Sequence, residues 1–321
     1  MVDFTIDYCN NGITRYPFKI IRMNCPICNQ SNTQIFIESR DFSLTQEVFS
    51  IYHCTPCNFR FTAPVPSQNE IGKYYKFIEY ISHTDVKEGW MNQLYHAVRT
   101  RTLAQKTKWV QSLFTGHKGH LLDIGAGTGA FVQAMKEKDW SVTGLEPDEA
   151  TRAKAFENYH IELKSTDTLY DLPSNEFEVI SMWHVLEHVH ALKPYLHQCF
   201  KSLKQNGRLI IAVPNFTSFD AKYYNKYWAA YDLPRHLYHF SPEAMAILLN
   251  EIGFEIVSTK PMWYDSFYVS LLSEKYKKSG KIGLFLAVLI GSISNLKALI
   301  DSSKASSIIY EIKKKSMPNF I

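Results

Sequence analysis

Charge of one sign is the first thing this chain lacks. Lys and Arg number 35 against 31 Asp and Glu, a net of +4 in 321 residues. So small a surplus gives no electrostatic footprint for nucleic acid by itself. Cysteine is scarce, with six in all. The chain does not open on a charged segment followed by an apolar core, so export is not expected and a cytoplasmic location is. The apolar run Ile282 to Leu296 is short for a membrane-spanning helix. What is present is ordinary globular material, 45% hydrophobic and 21% charged, which predicts a packed core rather than disorder. The length suits one large domain with a smaller module.

The densest signal is Leu121-Leu-Asp-Ile-Gly-Ala-Gly-Thr-Gly-Ala130. An apolar strand runs into glycines at 125, 127 and 129, and a helical pattern restarts at Phe131, Val132 and Met135. Glycines at such a turn let a ligand touch backbone, because no Cβ intervenes. Asp123 stands two residues before the first glycine. Glu146 ends the next strand, at the spacing where an acid binds ribose hydroxyls. Alone, the loop also satisfies the dinucleotide pattern through Gly125, Gly127 and Ala130, or makes a tight turn with no ligand. The acid at 123 favours a ligand whose charge is not all phosphate, since a carboxylate beside a pyrophosphate is repelled.

Further motifs follow in order: Gly144-Leu-Glu-Pro-Asp148, then Phe177-Glu-Val-Ile-Ser-Met-Trp-His-Val-Leu-Glu-His-Val189, then Asn206-Gly-Arg-Leu-Ile-Ile-Ala-Val-Pro-Asn215. Together they resemble the class I S-adenosylmethionine-dependent methyltransferase family, over residues 118 to 321. The resemblance implies an α/β fold: a Rossmann-like, seven-stranded sheet with helices on both faces, its last strand antiparallel. It implies S-adenosylmethionine as cofactor. Asp123, Gly125, Ala126, Gly127 and Gly129 would line its methionine and ribose side. Glu146 and Pro147 would hold the ribose, Asp167 and Thr168 would flank the adenine, and Met182, Trp183 and His184 would close the far wall. Tyr80, in a Tyr-rich segment, would lie near the cofactor, with His83 beside it.

Cys25-Pro-Ile-Cys28 and Cys54-Thr-Pro-Cys57 form two knuckles around a strand-rich stretch. Two thiolates on each of two turns predict one tetrahedral zinc, structural because four cysteines leave no open position for water. Disulfides or plain buried thiols are the other readings. Cys9 and Cys199 read as packing residues. The expected organisation is a zinc-ribbon module over 1–66, a helical bridge or lid over 67–117, and the methyltransferase domain over 118–321 with a helical insertion at about 270–303. A ribbon joined to this family resembles a group that includes sugar C-methyltransferases.

The bridge is rich in aromatics and bases, among them Tyr74, Tyr75, Trp90, Tyr95, Arg99, Arg101 and Trp109. Their roughly helical spacing predicts core positions, with a lid as the alternative. Strands are expected near 119–124, 141–145, 160–164, 177–183, 208–213, 254–259 and 306–313, with the ligand at their carboxyl ends.

Methyl transfer requires alignment of the nucleophile and, for a hydroxyl or carbon acid, removal of a proton. His184-Val-Leu-Glu-His188 is not the zinc-binding His-Glu-x-x-His, because the acid is misplaced. Glu187 and His188 read as braces, or His188 as a base. The better acceptor segment is Tyr231-Asp-Leu-Pro-Arg-His-Leu-Tyr-His-Phe240, polar groups on a loop past a strand end. There Asp232, Arg235 and His236 could hold and deprotonate an acceptor, with His236 as base and His184 as the substitute. A salt-bridged loop cap is the bland alternative.

The run 282–296 is flanked by Lys275, Lys277, Lys278, Lys281 and Lys297. It reads as a helix packed on the domain or at a dimer interface, with a membrane surface as the alternative, peripheral to the inner face. The expected acceptor is a small molecule, a glycan or a lipid-linked compound, and nucleic acid is not expected. RNA methylation stays open through the basic aromatic helices, although no Asn/Asp-Pro-Pro-Tyr/Phe signature follows the fourth strand. A non-catalytic cofactor-binding scaffold is the remaining alternative.

Overall fold

The structure, a computed structural model, describes residues 23–75, 90–114 and 118–316; the side chains of residues 90–96 lie outside the description. Tyr80, His83 and Cys9 lie outside the described residues.

Two sheets dominate. The larger contains β4 (His120–Ile124), β5 (Ser141–Leu145), β6 (Phe177–Trp183), β7 (Leu203–Pro214), β9 (Phe254–Pro261) and β10 (Ser307–Lys314), in the order β5-β4-β6-β7-β10-β9. The first four are parallel, and β10 is antiparallel to both of its neighbours. Helices α2 (Ala130–Lys136), α3 (Glu149–Tyr159) and α4 (Leu192–Ser202) make the crossovers that parallel pairing needs. Strands β4 and β6 are apolar runs buried along nearly their whole length, as a sheet covered on both faces requires.

The expected strand at 160–164 is reduced to a single parallel bridge between Leu145 and Lys164. Ile161 and Leu163 still point inward, but His160 ends α3 at φ 53°. Only Lys164 N–H to Gly144 O and Glu146 N–H to Lys164 O then complete the edge. Among the described residues the sheet therefore has six full strands and the remnant of a seventh.

The smaller sheet is an antiparallel meander, β1 (Thr33–Arg40), β2 (Val48–Cys54) and β3 (Phe59–Ala63). Its fourth strand is borrowed: β8 (Tyr238–His239), from the polar loop expected to meet the acceptor, pairs with β3 through Arg60 and Phe61. The ribbon is thus joined to the rest. Ile27, Phe59 and Phe61 share one apolar cluster with Phe240 and Met245. On another side Phe49 and Ile51 pack in a cluster with Trp228, Tyr231 and Val269.

Among the described residues the bridge has one α-helix, α1 (Trp90–Ser112), and a short turn at Ile71–Tyr74. Between β7 and β8 lies α5 (Phe219–Tyr224). Helix α6 (Pro242–Ile252) starts as its Ser-Pro-Glu sequence predicts: Ser241 accepts from the Ala244 N–H, and Gly253 closes the end at φ 102°. The insertion is a helical hairpin, α7 (Asp265–Lys277) and α8 (Gly283–Ile300).

Candidate active site

The glycine loop leaves β4 and enters α2. Gly125, Gly127 and Gly129 all have positive φ, 73°, 53° and 79°, which L side chains rarely adopt. A Cβ on Gly125 would meet Val185 at 2.4 Å, whereas one on Gly127 would meet nothing within 4 Å. Backbone at Gly127 therefore fronts open space, the cradle that a bound ligand needs.

Glu146 sits at the end of β5 and is nearly buried, at 9% exposure. Its carboxylate accepts from Gly127 N–H at 2.9 Å and Asp148 N–H at 3.2 Å. Burial raises its pKa against those two donors. Pro147 presents its carbonyl to Arg152 at 2.7 Å. Asp123 is buried below the loop and accepts from Ser181 Oγ at 2.6 Å. Burial pushes its carboxyl up to about 7, while Ser181 and Lys106 pull the other way. Asp167 and Thr168 lie in a turn past the edge bridge: Asp167 is exposed and bonded by Ser165 Oγ, and Thr168 Oγ1 donates to the Ser165 carbonyl.

The far wall is built differently from expectation. Met182 is fully buried in the main core, because strand alternation turns it inward, and it offers no surface to a ligand. Trp183 stands edge-on to Phe131 at 5.6 Å, under the ammonium of Lys106 at 4.1 Å. Its indole N–H is buried without an acceptor among the described residues. Lys106 comes from α1, so the bridge reaches into the site. With Trp109, Lys260, Trp263 and Asp265 it lines a cavity of about 290 Å³. A larger, open depression near His120, Asp139 and Glu176 lies at the amino ends of the strands, the wrong end for a ligand in this topology.

His184 follows β6 with φ 57°. Both ring nitrogens are held: Nδ1 by Glu187 at 3.2 Å and Nε2 by Asp265 at 2.9 Å. Burial works against charge on this ring, but the two carboxylates outweigh it and push the imidazole up to about 10. A histidine that is protonated and doubly engaged has no lone pair for proton removal. That removes the reading of His184 as a substitute base.

The loop 231–240 folds back on this wall. The Leu237 N–H donates to the Glu187 carbonyl at 2.7 Å, and Thr62 of β3 donates its hydroxyl to the His236 carbonyl at 2.7 Å. Arg235 does not face an acceptor. It is 1% exposed, and its guanidinium bonds Asp232 at 2.6 and 3.0 Å, Asp41 at 3.0 Å and the Tyr74 carbonyl at 3.2 Å. It is a tie between ribbon and loop. His236 points Nδ1 at the Ala230 carbonyl, 2.8 Å away, and its Nε2 lies 3.9 Å from the Asp232 carboxylate. His188 stands edge-on to it at 4.6 Å and faces the Arg235 carbonyl and the Tyr75 hydroxyl, each at 3.0 Å. Burial and the neighbouring His236 push His188 down to about 4, so that ring is neutral. Glu187, His188 and His236 bring one donor atom each within 4.8 Å, and one Glu187 oxygen is buried without a partner among the described residues. Such a compact set suits proton relay as well as a cation.

At the ribbon end, Cys25, Cys28, Cys54 and Cys57 hold their sulfurs within 4.8 Å of one another, with Cys25–Cys57 and Cys28–Cys54 both at 3.5 Å. Zinc–sulfur bonds of about 2.3 Å in a tetrahedron put sulfurs roughly 3.8 Å apart, so the donor set fits.

A family model described as a methyltransferase domain matches residues 88–259. The chain belongs to that family. It is a class I, S-adenosylmethionine-dependent methyltransferase. An uncharacterized methyltransferase of Staphylococcus carnosus is 27% identical over 165 residues, 47% of this chain and 77% of the relative. The ubiquinone biosynthesis O-methyltransferase of Idiomarina loihiensis is 30% identical over 102 residues, 30% of this chain and 42% of that enzyme. Among solved structures, an S-adenosylmethionine-dependent methyltransferase from Thermotoga maritima aligns with a TM-score of 0.48 at 17% identity, over 76% of this chain and all of that one.

The structure brings to the candidate site residues that sequence reasoning missed. Lys106 and Asp265 carry no motif; one comes from the helix before the first strand of the central sheet and the other from a helix far along the chain. Asp41 reaches the loop only because the ribbon docks there, and Tyr75 of the bridge reaches His188. A faint signal existed for Asp265, an acid opening a helix just after a strand.

Proposed function

We propose that this methyltransferase acts on a small-molecule, glycan or lipid-linked acceptor, with His236 as general base and one structural zinc on the four cysteines. The donor supplies an electrophilic methyl group on a sulfonium. Asp123, the backbone of residues 125–129, Glu146 with Pro147, the turn at Asp167 and Thr168, and Trp183 with Tyr80 are the proposed cofactor contacts. The single observation that carries the base is the setting of His236. The Ala230 carbonyl accepts from an Nδ1–H at 2.8 Å, which leaves the Nε2 lone pair free. The Asp232 carboxylate, 3.9 Å from Nε2, stabilises the imidazolium that forms once an acceptor hydroxyl gives up its proton. His184 then serves as a fixed positive wall rather than a base. A small-molecule acceptor agrees with the ubiquinone enzyme among the relatives.

The test begins with a screen of metabolite extracts using labelled methyl donor, to find the acceptor. On that acceptor His236→Ala should lower turnover by about two to four orders of magnitude, the usual worth of a general base, with cofactor affinity nearly unchanged. His236→Gln keeps a donor toward Ala230 but accepts no proton, and should fall as far. A loss below about threefold in both would make His236 a structural cap.

A further inference from the structure

Helix α8 is apolar in the wrong direction for a helix of a water-exposed surface. Apart from Ile290, its buried stripe is small: Gly283, Ala287, Gly291, Ser294 and Ala298. A Cβ on Gly291 would come within 2.7 Å of Phe267, so this side packs tightly on α7. Most of the large side chains face outward instead. Phe285 is 65% exposed, Leu296 60% and Leu299 68%, with Leu284, Val288 and Leu289 beside them. Single exposed leucines need no explanation, but a contiguous apolar row does. The segment Gly280–Ile300 has a mean hydropathy of 1.8 and is long enough to cross a bilayer.

It does not cross one in this fold. Asn295 Nδ2 bonds the Trp263 carbonyl at 2.8 Å, and Ser294 bonds Asp220 at 2.6 Å, so one side of the helix is fixed to the domain. The chain then returns directly to β10, which is paired on both edges inside the central sheet. The expectation of packing on the domain therefore describes one side of α8 only. The other side is uncovered among the described residues.

We propose that this outer face of α8 docks on an anionic phospholipid surface. Charge selects that occupant. Lys275, Lys277, Lys278 and Lys281 are all exposed where α7 turns into α8, and no Asp or Glu stands between Glu274 and Asp301. A second copy of the same face would bring apolar area but no counter-charge from this stretch. Anionic headgroups supply it, while Phe285 and its neighbours enter the acyl boundary. The inference is independent of which acceptor is methylated.

Co-sedimentation of the full chain with vesicles tests it. The protein should bind vesicles of phosphatidylcholine mixed with phosphatidylglycerol, and bind phosphatidylcholine alone weakly. Phe285→Ser with Leu289→Ser should weaken binding at least about tenfold, through lost apolar burial. Lys278→Glu with Lys281→Glu should weaken binding to the anionic vesicles by a similar factor and abolish their advantage. S-adenosylmethionine affinity should be unchanged in both, which shows that the variants fold. Failure of the parent protein to bind anionic vesicles overturns the proposal, as does binding that neither pair of substitutions alters. A dimer that the serine pair dissociates, without vesicle binding by the parent, would assign the face to a second copy.

Discussion

The two sheets of this molecule are held by different means. In the central sheet, β4 and β6 bury almost every side chain, and each strand is covered by crossover helices. In the ribbon, most of β1 is exposed, and the meander buries little on its own account. It is held at one end by four thiols. At its edge it is held by a strand borrowed from the acceptor loop, and at its face by the Arg60 guanidinium between Phe36 and Phe216 at 3.4 and 4.0 Å. A small sheet that cannot reach stability through apolar area relies instead on charges and docking, and on the metal proposed at its four thiols. The parts that hold the ribbon also fix the loop 231–240 proposed to meet the acceptor, whereas the glycine loop depends on the self-sufficient sheet.

The comparison predicts its largest effect at the cysteines. A structural zinc contributes on the order of 10 kcal/mol in small metal-dependent folds, enough to decide whether such a segment folds. Cys54→Ser should abolish metal content, from about one ion per chain, and melt the β1–β3 meander. Turnover should vanish with it, because Thr62 no longer holds the His236 backbone. Cofactor binding by calorimetry should survive. If it is lost as well, the two sheets are one folding unit and the comparison is wrong.

A middle-sized effect belongs to Arg235. Its removal leaves Asp41, fully buried, without its cation. Breaking a buried ion pair from one side costs about 3–5 kcal/mol. Arg235→Ala should lower the midpoint of urea unfolding accordingly. Asp41→Asn in the same chain should recover part of the loss, because a neutral amide tolerates burial better. Additive losses would show that Arg235 and Asp41 are not coupled across the two regions.

The same contrast explains what was legible beforehand. Strands β4 to β7 announce themselves as apolar runs with glycine punctuation, so 120–124, 141–145 and 177–183 match the reading within a residue. The edge strand at 160–164 did not form fully, since alternation in Ile161 and Leu163 fixes which side chains turn in and not how many ladder bonds close. The cysteine knuckles were legible as a spacing, and the fold brings their four sulfurs within 4.8 Å of one another. The site's charge partners were not. Asp265 meets His184 across 81 residues and Asp41 meets Arg235 across 194, and no local pattern records such pairings. Arg235 and Met182 looked like site residues by position, and burial took both out of reach of a ligand.

The smallest effect sharpens the comparison inside the self-sufficient sheet. Ser181 donates to Asp123 at 2.6 Å, both nearly or wholly buried beneath the cofactor loop. Asp123 has its carboxyl pushed up to about 7 from 3.8, chiefly by burial. A raised carboxyl means that the folded state prefers the protonated form. The stability it contributes is therefore complete below its ordinary pKa and is lost as pH rises through about 7. Ser181→Ala removes a donor to the charged form, which should move that loss to still higher pKa and cost about 1.5–3 kcal/mol where Asp123 is ionised. Urea titrations should show this cost above neutral pH. It should shrink as pH falls toward the ordinary carboxylate range, where the acid is neutral in both variants. A cost that is the same across that window would mean that Asp123 stays ionised in the folded protein. The central sheet, too, would then rest on a buried charge, and the division between the two regions would be one of degree.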